Sequence, residues 1–130
     1  MITCIIIDDE TKCVHTLELM VKRYCPELQL MASCDSAESG LEAIREHKPQ
    51  VVFLDIEMPK MNGFDMLDKV GKIDFHVVFT TAYSQFAIKA FQYSALNYLL
   101  KPIDPDDLVD TVKRIQGMQR PPQQEQIDIL

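Results

Sequence analysis

Five short stretches of this chain are almost entirely apolar, and several of them are rich in β-branched residues. A strand that is exposed on one face alternates apolar and polar residues. Near-continuous apolarity is typical instead of strands covered on both faces, as in parallel sheets. The pattern therefore predicts five parallel strands, over residues 2–7, 28–33, 51–54, 77–80 and 96–100.

The segments between these runs repeat apolar residues at intervals of three and four, which is typical of amphipathic helices. The segment at 84–93 is less regular, but it occupies the place of a fourth helix. The last segment opens with Asp104 as N-cap and Pro105 in the first turn. Apart from the segment at 84–93, each helix is indicated by its own apolar repeat: Val14, Leu17, Val21 and Tyr24; Ala37, Leu41 and Ile44; Phe64, Leu67 and Val70; and, in the last segment, Leu108, Val112 and Ile115.

Strand and helix thus alternate five times, which predicts an α/β fold with a doubly wound five-stranded parallel sheet and five helices. A chain of 130 residues is long enough to bury one such core. The net charge of −7 argues against DNA or an anionic membrane as a direct partner of this segment. Since we find neither a signal peptide nor a membrane-spanning stretch, we expect a cytoplasmic location and no membrane contact.

The cysteines and histidines have no spacing typical of metal ligands, so we expect the cysteines to act as small buried hydrophobes. The cysteines are Cys4, Cys13, Cys25 and Cys34, and the histidines are His15, His47 and His76.

The C-terminal residues read as a linker. Residues 116–126 contain Pro121-Pro122 and several glutamines, and residues 127–130 then alternate like the start of another strand. We expect a folded domain over 1–117, and over 118–130 a linker and the start of a C-terminal domain that this chain lacks.

An acidic cluster, Asp8-Asp9-Glu10, follows the first predicted strand. One interpretation is an acidic first turn that caps the next helix and complements its dipole. The other is a site for a hard cation such as Mg²⁺, because paired carboxylates are the ligands that this ion prefers.

Two further groups of polar residues lie at strand ends. Asp55 ends the third strand and is followed by Met58-Pro59 and by Asn62-Gly63. The fourth strand is followed by Thr80-Thr81-Ala82, and the end of the fifth is spanned by Tyr98-Leu99-Leu100-Lys101-Pro102. Ligand sites in open α/β sheets lie outside such carboxyl ends. In phosphoryl transfer Asp55 can act as nucleophile, Lys101 can neutralise charge, and Thr81 can donate a hydrogen bond.

These motifs, in this order, resemble the receiver domains of two-component response regulators from about residue 5 to residue 115. The stretch from Phe79 through Tyr83 and the stretch Asn97-Tyr98-Leu99-Leu100-Lys101-Pro102 are most similar to receivers of the LytTR class. The resemblance implies a flavodoxin-like strand order of 2-1-3-4-5, which brings the acidic pair beside Asp55.

The resemblance also implies a role for each site residue. Asp55 would be phosphorylated by a sensor histidine kinase, with Lys101 and Thr81 binding the phosphate. Thr81 and Tyr98 would form the switch pair, and the Lys101–Pro102 peptide would be cis. The Mg²⁺ ligands would be Asp9 and Asp55 directly, Asp8 mainly through water, and Glu57 through its backbone carbonyl.

For the whole regulator, the resemblance implies self-association through the fourth helix, fifth strand and fifth helix, and DNA binding only through the missing C-terminal domain. Its catalysis would be limited to its own phosphoryl transfer and dephosphorylation. The charge of Glu57, where an amide is common, would alter metal affinity or phosphate lifetime.

Three other classes compete with this interpretation. A haloacid-dehalogenase-like phosphatase would carry D-x-D-x-[TV] after its first strand, whereas Asp55-Ile56-Glu57-Met58 follows the third. A dinucleotide-binding protein would have a glycine-rich turn where Asp8-Asp9-Glu10 stands. A non-phosphorylated interaction module would have lost part of the pocket, and no pocket residue is missing from this sequence.

Overall fold

The computed structural model describes residues 1–83 and 95–118, which form one parallel sheet between two layers of helices. The predicted helix at 84–93 and residues 119–130 lie outside the described residues. The strands are β1 (Ile2–Ile7), β2 (Leu28–Cys34), β3 (Val51–Asp55), β4 (His76–Thr81) and β5 (Ala95–Leu100). The described helices are α1 (Thr11–Tyr24), α2 (Ala37–His47), α3 (Gly63–Val70) and α4 (Pro105–Gln116).

All neighbouring strands are parallel, and their order is β2-β1-β3-β4-β5, as predicted. The chain passes from β1 outward to β2 and then back across β1 to β3. The strand order therefore reverses between β1 and β3, and the carboxyl ends of these two strands border the crevice where open α/β sheets bind ligands.

The central strands of the sheet are covered on both faces, which explains why β1, β3 and β4 are apolar at almost every position, whereas the edge strand β2 exposes Gln29, Met31 and Ser33. Along β1, Ile5 and Ile7 pack on the side of α2 and α3, whereas Cys4 and Ile6 pack on the side of α1 and α4. Side chains alternate between the faces of a strand. Each face therefore has its own hydrophobic core.

Most residues of the predicted helical stripes are buried, and Val14, Leu41 and Val70 are partly buried. Leu108, Val112 and Ile115 of α4 are at most 3% exposed, but Tyr24 at the end of α1 is 40% exposed. Tyr24 lies in α1 as its place in the repeat indicates, but the helix ends there and the following residue, Cys25, is buried in the core instead.

The helix starts follow local hydrogen-bonding rules. Ser36 and Ser39 form a reciprocal capping box at α2, and the Asn62 side chain accepts a hydrogen bond from the backbone N–H of Asp65 at α3. Asp104 caps α4, with Pro105 in its first turn as predicted. These caps fix where the helices begin, and so shape the loops that follow β3 and β5.

Candidate functional site

The acidic cluster Asp8-Asp9-Glu10 does not cap α1. Glu10 is the N-cap residue but its side chain makes no capping hydrogen bond, and the first turn of α1 contains no acidic residue. The carboxylate of Asp8 instead accepts a hydrogen bond from the backbone N–H of Glu10 at 2.9 Å and turns toward the sheet. This favours the interpretation of the cluster as a cation site.

Asp55 ends β3 beside this cluster and is only 2% exposed. One oxygen from each of Asp8, Asp9 and Asp55 lies within 4.8 Å of the other two. The sequence prediction that these three carboxylates meet is therefore correct. Neighbouring strands place them there, since β1 and β3 pair up to Ile7 and Leu54.

Lys101 closes the site from the end of β5. Its Nζ lies 2.9 Å from Asp8 Oδ2, 3.4 Å from Asp55 Oδ1 and 3.6 Å from Glu10 Oε1. The Lys101–Pro102 peptide is cis, as the resemblance implied. The ammonium group therefore pairs most closely with Asp8 rather than with Asp55, and its contact with Glu10 was not predicted.

The electrostatics of the site favour an additional cation. Burial, and next the nearby charge of Asp8, raise the pKa of Asp55 to about 8, although Lys101 offsets part of the effect. Burial alone would lower the pKa of Lys101, but its hydrogen bond to Asp8 and the charge of Asp55 raise it above the usual value. One ammonium thus faces more negative charge than it can balance.

Two buried carboxylate oxygens, Oδ1 of Asp9 and Oδ2 of Asp55, have no hydrogen-bond partner among the described residues. Leaving such atoms unpaired is costly, so each indicates a missing partner. Carboxylate oxygens are the ligands that Mg²⁺ prefers. The residues present therefore fit a magnesium ion between Asp9 and Asp55.

Thr81, at the end of β4, is fully buried, and its hydroxyl donates a hydrogen bond to Glu57 Oε1 at 2.7 Å. The same hydroxyl oxygen accepts a hydrogen bond from the backbone N–H of Tyr83 at 3.1 Å. Tyr98 on β5 donates its hydroxyl to the backbone carbonyl of Tyr83. Hydrogen bonds therefore run from Glu57 through Thr81 and Tyr83 to Tyr98.

The sequence prediction assigned Glu57 a backbone role and did not foresee this use of its side chain. Tyr83 was quoted only as part of the resemblance and was given no role. The unusual charge at position 57 was the one signal in the sequence that pointed toward the contact.

The loop after Asp55 is held by Gly63. The backbone N–H of Gly63 donates to the carbonyl of Ile56 at 2.8 Å, and a Cβ on this residue would lie 2.7 Å from the carbonyl oxygen of Asp55. The Asn62-Gly63 pair of the motif thus has a structural reason: Asn62 caps α3, and Gly63 lets α3 pack directly on the end of β3.

The chain belongs to the response regulator receiver domain family, whose pattern it matches over residues 4–113. It is 41% identical over 120 residues to an uncharacterized response regulatory protein of Shewanella oneidensis, covering 88% of this chain and 49% of that protein. It is 35% identical over 116 residues to the sensory transduction protein LytT of Bacillus anthracis, covering 88% and 47%. The likeness to LytT agrees with the resemblance to the LytTR class.

Among solved structures, the chain is similar to the N-terminal domain of an uncharacterized protein (WS1339) of Wolinella succinogenes. The TM-score is 0.77 at 30% identity, covering 90% of this chain and 95% of that chain. The chain spans about half the length of the curated relatives it matches. No helix among the described residues is long and apolar enough to cross a bilayer.

Family membership rules against the phosphatase and the dinucleotide-binding alternatives. It does not by itself separate a phosphorylated receiver from an interaction module with the same fold, and that distinction rests on the residues of the pocket.

Proposed function

We propose that this domain accepts a phosphoryl group from a sensor histidine kinase on Asp55, in a reaction that requires Mg²⁺. The proposal rests on Asp55, a 2% exposed carboxylate beside two more acids. Its Oδ2 has no hydrogen-bond partner in the described part of the chain, and its Oδ1 lies 3.4 Å from Lys101 Nζ. A buried acid without such a role is a cost to the fold.

The contacts of the three acids support a division of labour among the metal ligands. Both oxygens of Asp8 have protein partners, Glu10 N–H and Lys101 Nζ. Asp9 and Asp55 each keep one free oxygen. Asp9 and Asp55 would therefore bind Mg²⁺ directly and Asp8 mainly through water, and the backbone carbonyl of Glu57 would complete the protein ligands.

The transfer itself is a displacement at phosphorus. An oxygen of the Asp55 carboxylate attacks, the bond from phosphorus to the donor histidine nitrogen breaks, and the electron pair of that bond stays on the nitrogen. A bound Mg²⁺ keeps Asp55 ionised and neutralises phosphoryl oxygens. Lys101 supplies a second positive charge, and Thr81 can donate its hydroxyl to the new phosphoryl group.

Hydrolysis returns the domain to its starting state when water attacks the phosphorus and Asp55 leaves as a carboxylate. The domain would thus catalyse only its own phosphorylation and dephosphorylation. Phosphate adds nearly two negative charges beside Thr81 and Lys101. Their different contacts in the two states would shift the population toward a signalling conformation, in which Thr81 and Tyr98 are repositioned.

The test is intact-mass measurement after treatment with acetyl phosphate and Mg²⁺. We expect one phosphoryl group on the wild-type chain and none on Asp55→Asn. Asp74→Asn is the matched control, because Asp74 is an exposed acid before the start of β4, whereas Asp55 lies at the carboxyl end of β3. Equal labelling of Asp55→Asn and wild type would refute the assignment of Asp55 as the acceptor. No labelling of the wild type would favour the unphosphorylated interaction module.

The output of the whole regulator is a separate proposal, because the chain spans about half the length of its relatives. One relative, from Escherichia coli, is named transcriptional regulatory protein BtsR. We propose that a regulator with this domain controls transcription through a DNA-binding domain beyond the linker at 118–130, in the cytoplasm. A DNA-binding assay on the full-length gene product, with and without phosphate, tests the idea.

Self-association is proposed for the surface formed by β5, α4 and the predicted helix at 84–93. Leu100 at the end of β5 is 46% exposed, and Asp107 and Arg114 of α4 lie beside Tyr98. Sedimentation of the chain with and without beryllofluoride tests this. An unchanged molecular mass on binding would argue against it.

A further inference from the structure

Glu57 makes a contact that the proposed chemistry does not use. Its Oε1 accepts the Thr81 hydroxyl at 2.7 Å, a distance typical of a hydroxyl that donates to an ionised carboxylate. Thr81 is fully buried, whereas Glu57 is exposed, so the contact lies at the rim of the pocket. It joins the loop after β3 to the end of β4, across a separation of 24 residues.

A threonine hydroxyl has one proton and can donate it to one acceptor at a time. The oxygen of Thr81 is also oriented by the backbone N–H of Tyr83, which it accepts at 3.1 Å. Thr81 therefore cannot donate to a phosphoryl oxygen on Asp55 while it donates to Glu57.

We propose that Glu57 is a positioning residue that holds the Thr81 hydroxyl in the unphosphorylated state and competes for it with the phosphoryl group on Asp55. The proposal rests on the function proposed above. The side chain of Glu57 thereby biases the switch toward its resting conformation. Its negative charge adds to the bias, because it lies near the place where the phosphoryl group introduces nearly two more.

The contact extends to the surface. Tyr83 gives its N–H to Thr81, and its carbonyl accepts the hydroxyl of Tyr98. If the Thr81 side chain moves away from Glu57, its hydrogen bond with the Tyr83 N–H either breaks or moves Tyr83 with it. Breaking the hydrogen bond between Thr81 and Glu57 is thus the first of the connected changes by which phosphorylation of Asp55 would reposition Tyr98.

The competition and the charge can be separated by variants of Glu57. Glu57→Ala removes both the acceptor and the charge. Glu57→Gln removes the charge but keeps a side-chain oxygen that can accept from Thr81. Thr81→Val removes the donor while keeping the shape of the side chain, so that Glu57→Ala in this background loses only the charge.

The probe is beryllofluoride with saturating Mg²⁺, titrated by calorimetry into the full chain. We expect Glu57→Ala to tighten binding roughly three- to tenfold, the effect of one partly exposed hydrogen bond, and Glu57→Gln to tighten it less. In the Thr81→Val background, Glu57→Ala should gain only as much as Glu57→Gln does. Glu46→Ala, an exposed acid near the end of α2, is the control and should bind like wild type.

A second measurement uses the single variant Glu57→Ala, whose substituted side chain is exposed in the wild type. In Glu57→Ala without ligand, the NMR signals of Tyr98 should move part of the way toward their positions in the beryllofluoride complex of the wild type. This distinguishes a release of the switch from a change at the binding site alone.

The outcomes separate the two proposals. If the wild type fails to bind beryllofluoride, the proposed function fails and the competition with it. If the wild type binds, but Glu57→Ala gives the same gain with and without the Thr81 hydroxyl and leaves Tyr98 unshifted, only the role of Glu57 is overturned.

Discussion

Asp55 shows how one residue can be unfavourable for the resting fold and useful for the chemistry. It is a carboxyl group at the switch point of the sheet, buried to 2% exposure, with one oxygen unpartnered. Burial, and next the charge of Asp8, raise its pKa to about 8. Any group that neutralises this carboxylate, whether a proton, a cation or an amide substitution, should therefore stabilise the fold.

The resulting prediction concerns Asp55→Asn without Mg²⁺. A folded-state pKa above the unfolded value means that the folded state holds its proton over a range in which the unfolded chain has lost it. The stability linked to this group is complete below pH 4 or so, the unfolded range for Asp, and is lost as the pH rises through about 8. Asp55→Asn should lack this loss and unfold at higher urea than wild type at pH 8.5.

The control for this comparison is Asp74→Asn, which removes an exposed acid. The expected result for Asp74→Asn is a midpoint close to that of wild type at every pH. Parallel pH profiles for Asp55→Asn and wild type would show that Asp55 is not strained by its surroundings.

Single residues also show where sequence reasoning stopped. The positions of Asp8, Asp9, Asp55, Thr81 and Lys101 followed from the fact that parallel strands bring their carboxyl ends to one edge. The side-chain partner of Glu57 did not follow, because it depends on the relative placement of two loops. The preference of Lys101 for Asp8 over Asp55, 2.9 Å against 3.4 Å, depends on distances that no sequence pattern encodes.

At the scale of elements, the five strands were predicted to within one residue at each end. This precision has a physical reason: strands buried on both faces must be apolar throughout, so the run of apolar residues ends where the strand does. The residues by which the observed strands exceed the predicted ones are polar or small and lie at strand ends, such as Asp55 in β3 and His76 in β4. Tyr24 lies in α1, as predicted, but is 40% exposed, because a helical repeat does not say at which turn the helix ends.

The packing of α3 on the end of β3 yields a second prediction. A Cβ on Gly63 would lie 2.7 Å from the carbonyl oxygen of Asp55 and 3.1 Å from Leu54 Cγ. Because the nearest atom is backbone, it cannot move aside cheaply. Gly63→Ala should destabilise the domain by about 1–3 kcal/mol, the usual cost of overpacking, as measured by urea unfolding.

Gly117 provides the comparison for that experiment. A Cβ there would meet its nearest atom at 3.5 Å, and the residue has a right-handed helical conformation. Gly117→Ala should be neutral or stabilise by a few tenths of a kcal/mol up to about 1. If both variants lose the same stability, the close approach of α3 to β3 is not what Gly63 permits.

At the scale of the whole molecule, stability depends on pH through His76 as well. His76 opens β4 and is 5% exposed, and its Nδ1 has no hydrogen-bond partner within residues 1–83 and 95–118. Burial lowers its pKa below the usual 6.5. A lowered folded-state pKa means that its contribution is complete above pH 6.5 and is lost as the pH falls toward the folded value. The free energy of unfolding of wild type should therefore fall more steeply between pH 7 and 5 than that of His76→Leu.

His15→Asn is the control, because the side chain of His15 is 71% exposed. It should keep the pH profile of wild type. A His76→Leu profile parallel to wild type would mean that the buried imidazole is protonated as easily as a free one.

The last prediction joins the site to the fold as a whole. An ion that binds only the folded state stabilises the entire domain, by about 2.7 kcal/mol at 100 times its Kd. For a domain of this size that is a rise in Tm of several degrees. Among the residues that the structure describes, two groups of side chains could hold the ion: Asp8, Asp9 and Asp55, or Asp8, Glu10 and Cys13.

Substituting Asp9 and Glu10 one at a time decides between these two candidate sites for the ion. Asp9 has a buried oxygen with no hydrogen-bond partner among the described residues, whereas the side chain of Glu10 is largely exposed and already pairs with Lys101 Nζ at 3.6 Å. Asp9→Ala should therefore lose most of the Mg²⁺-dependent rise in Tm, and Glu10→Ala, which removes the same charge one residue away, should keep it. Thermal unfolding with and without Mg²⁺ measures both. The reverse result, with the rise kept in Asp9→Ala and lost in Glu10→Ala, would place the ion between Asp8, Glu10 and Cys13, away from the oxygen of Asp55 that is proposed to accept the phosphate.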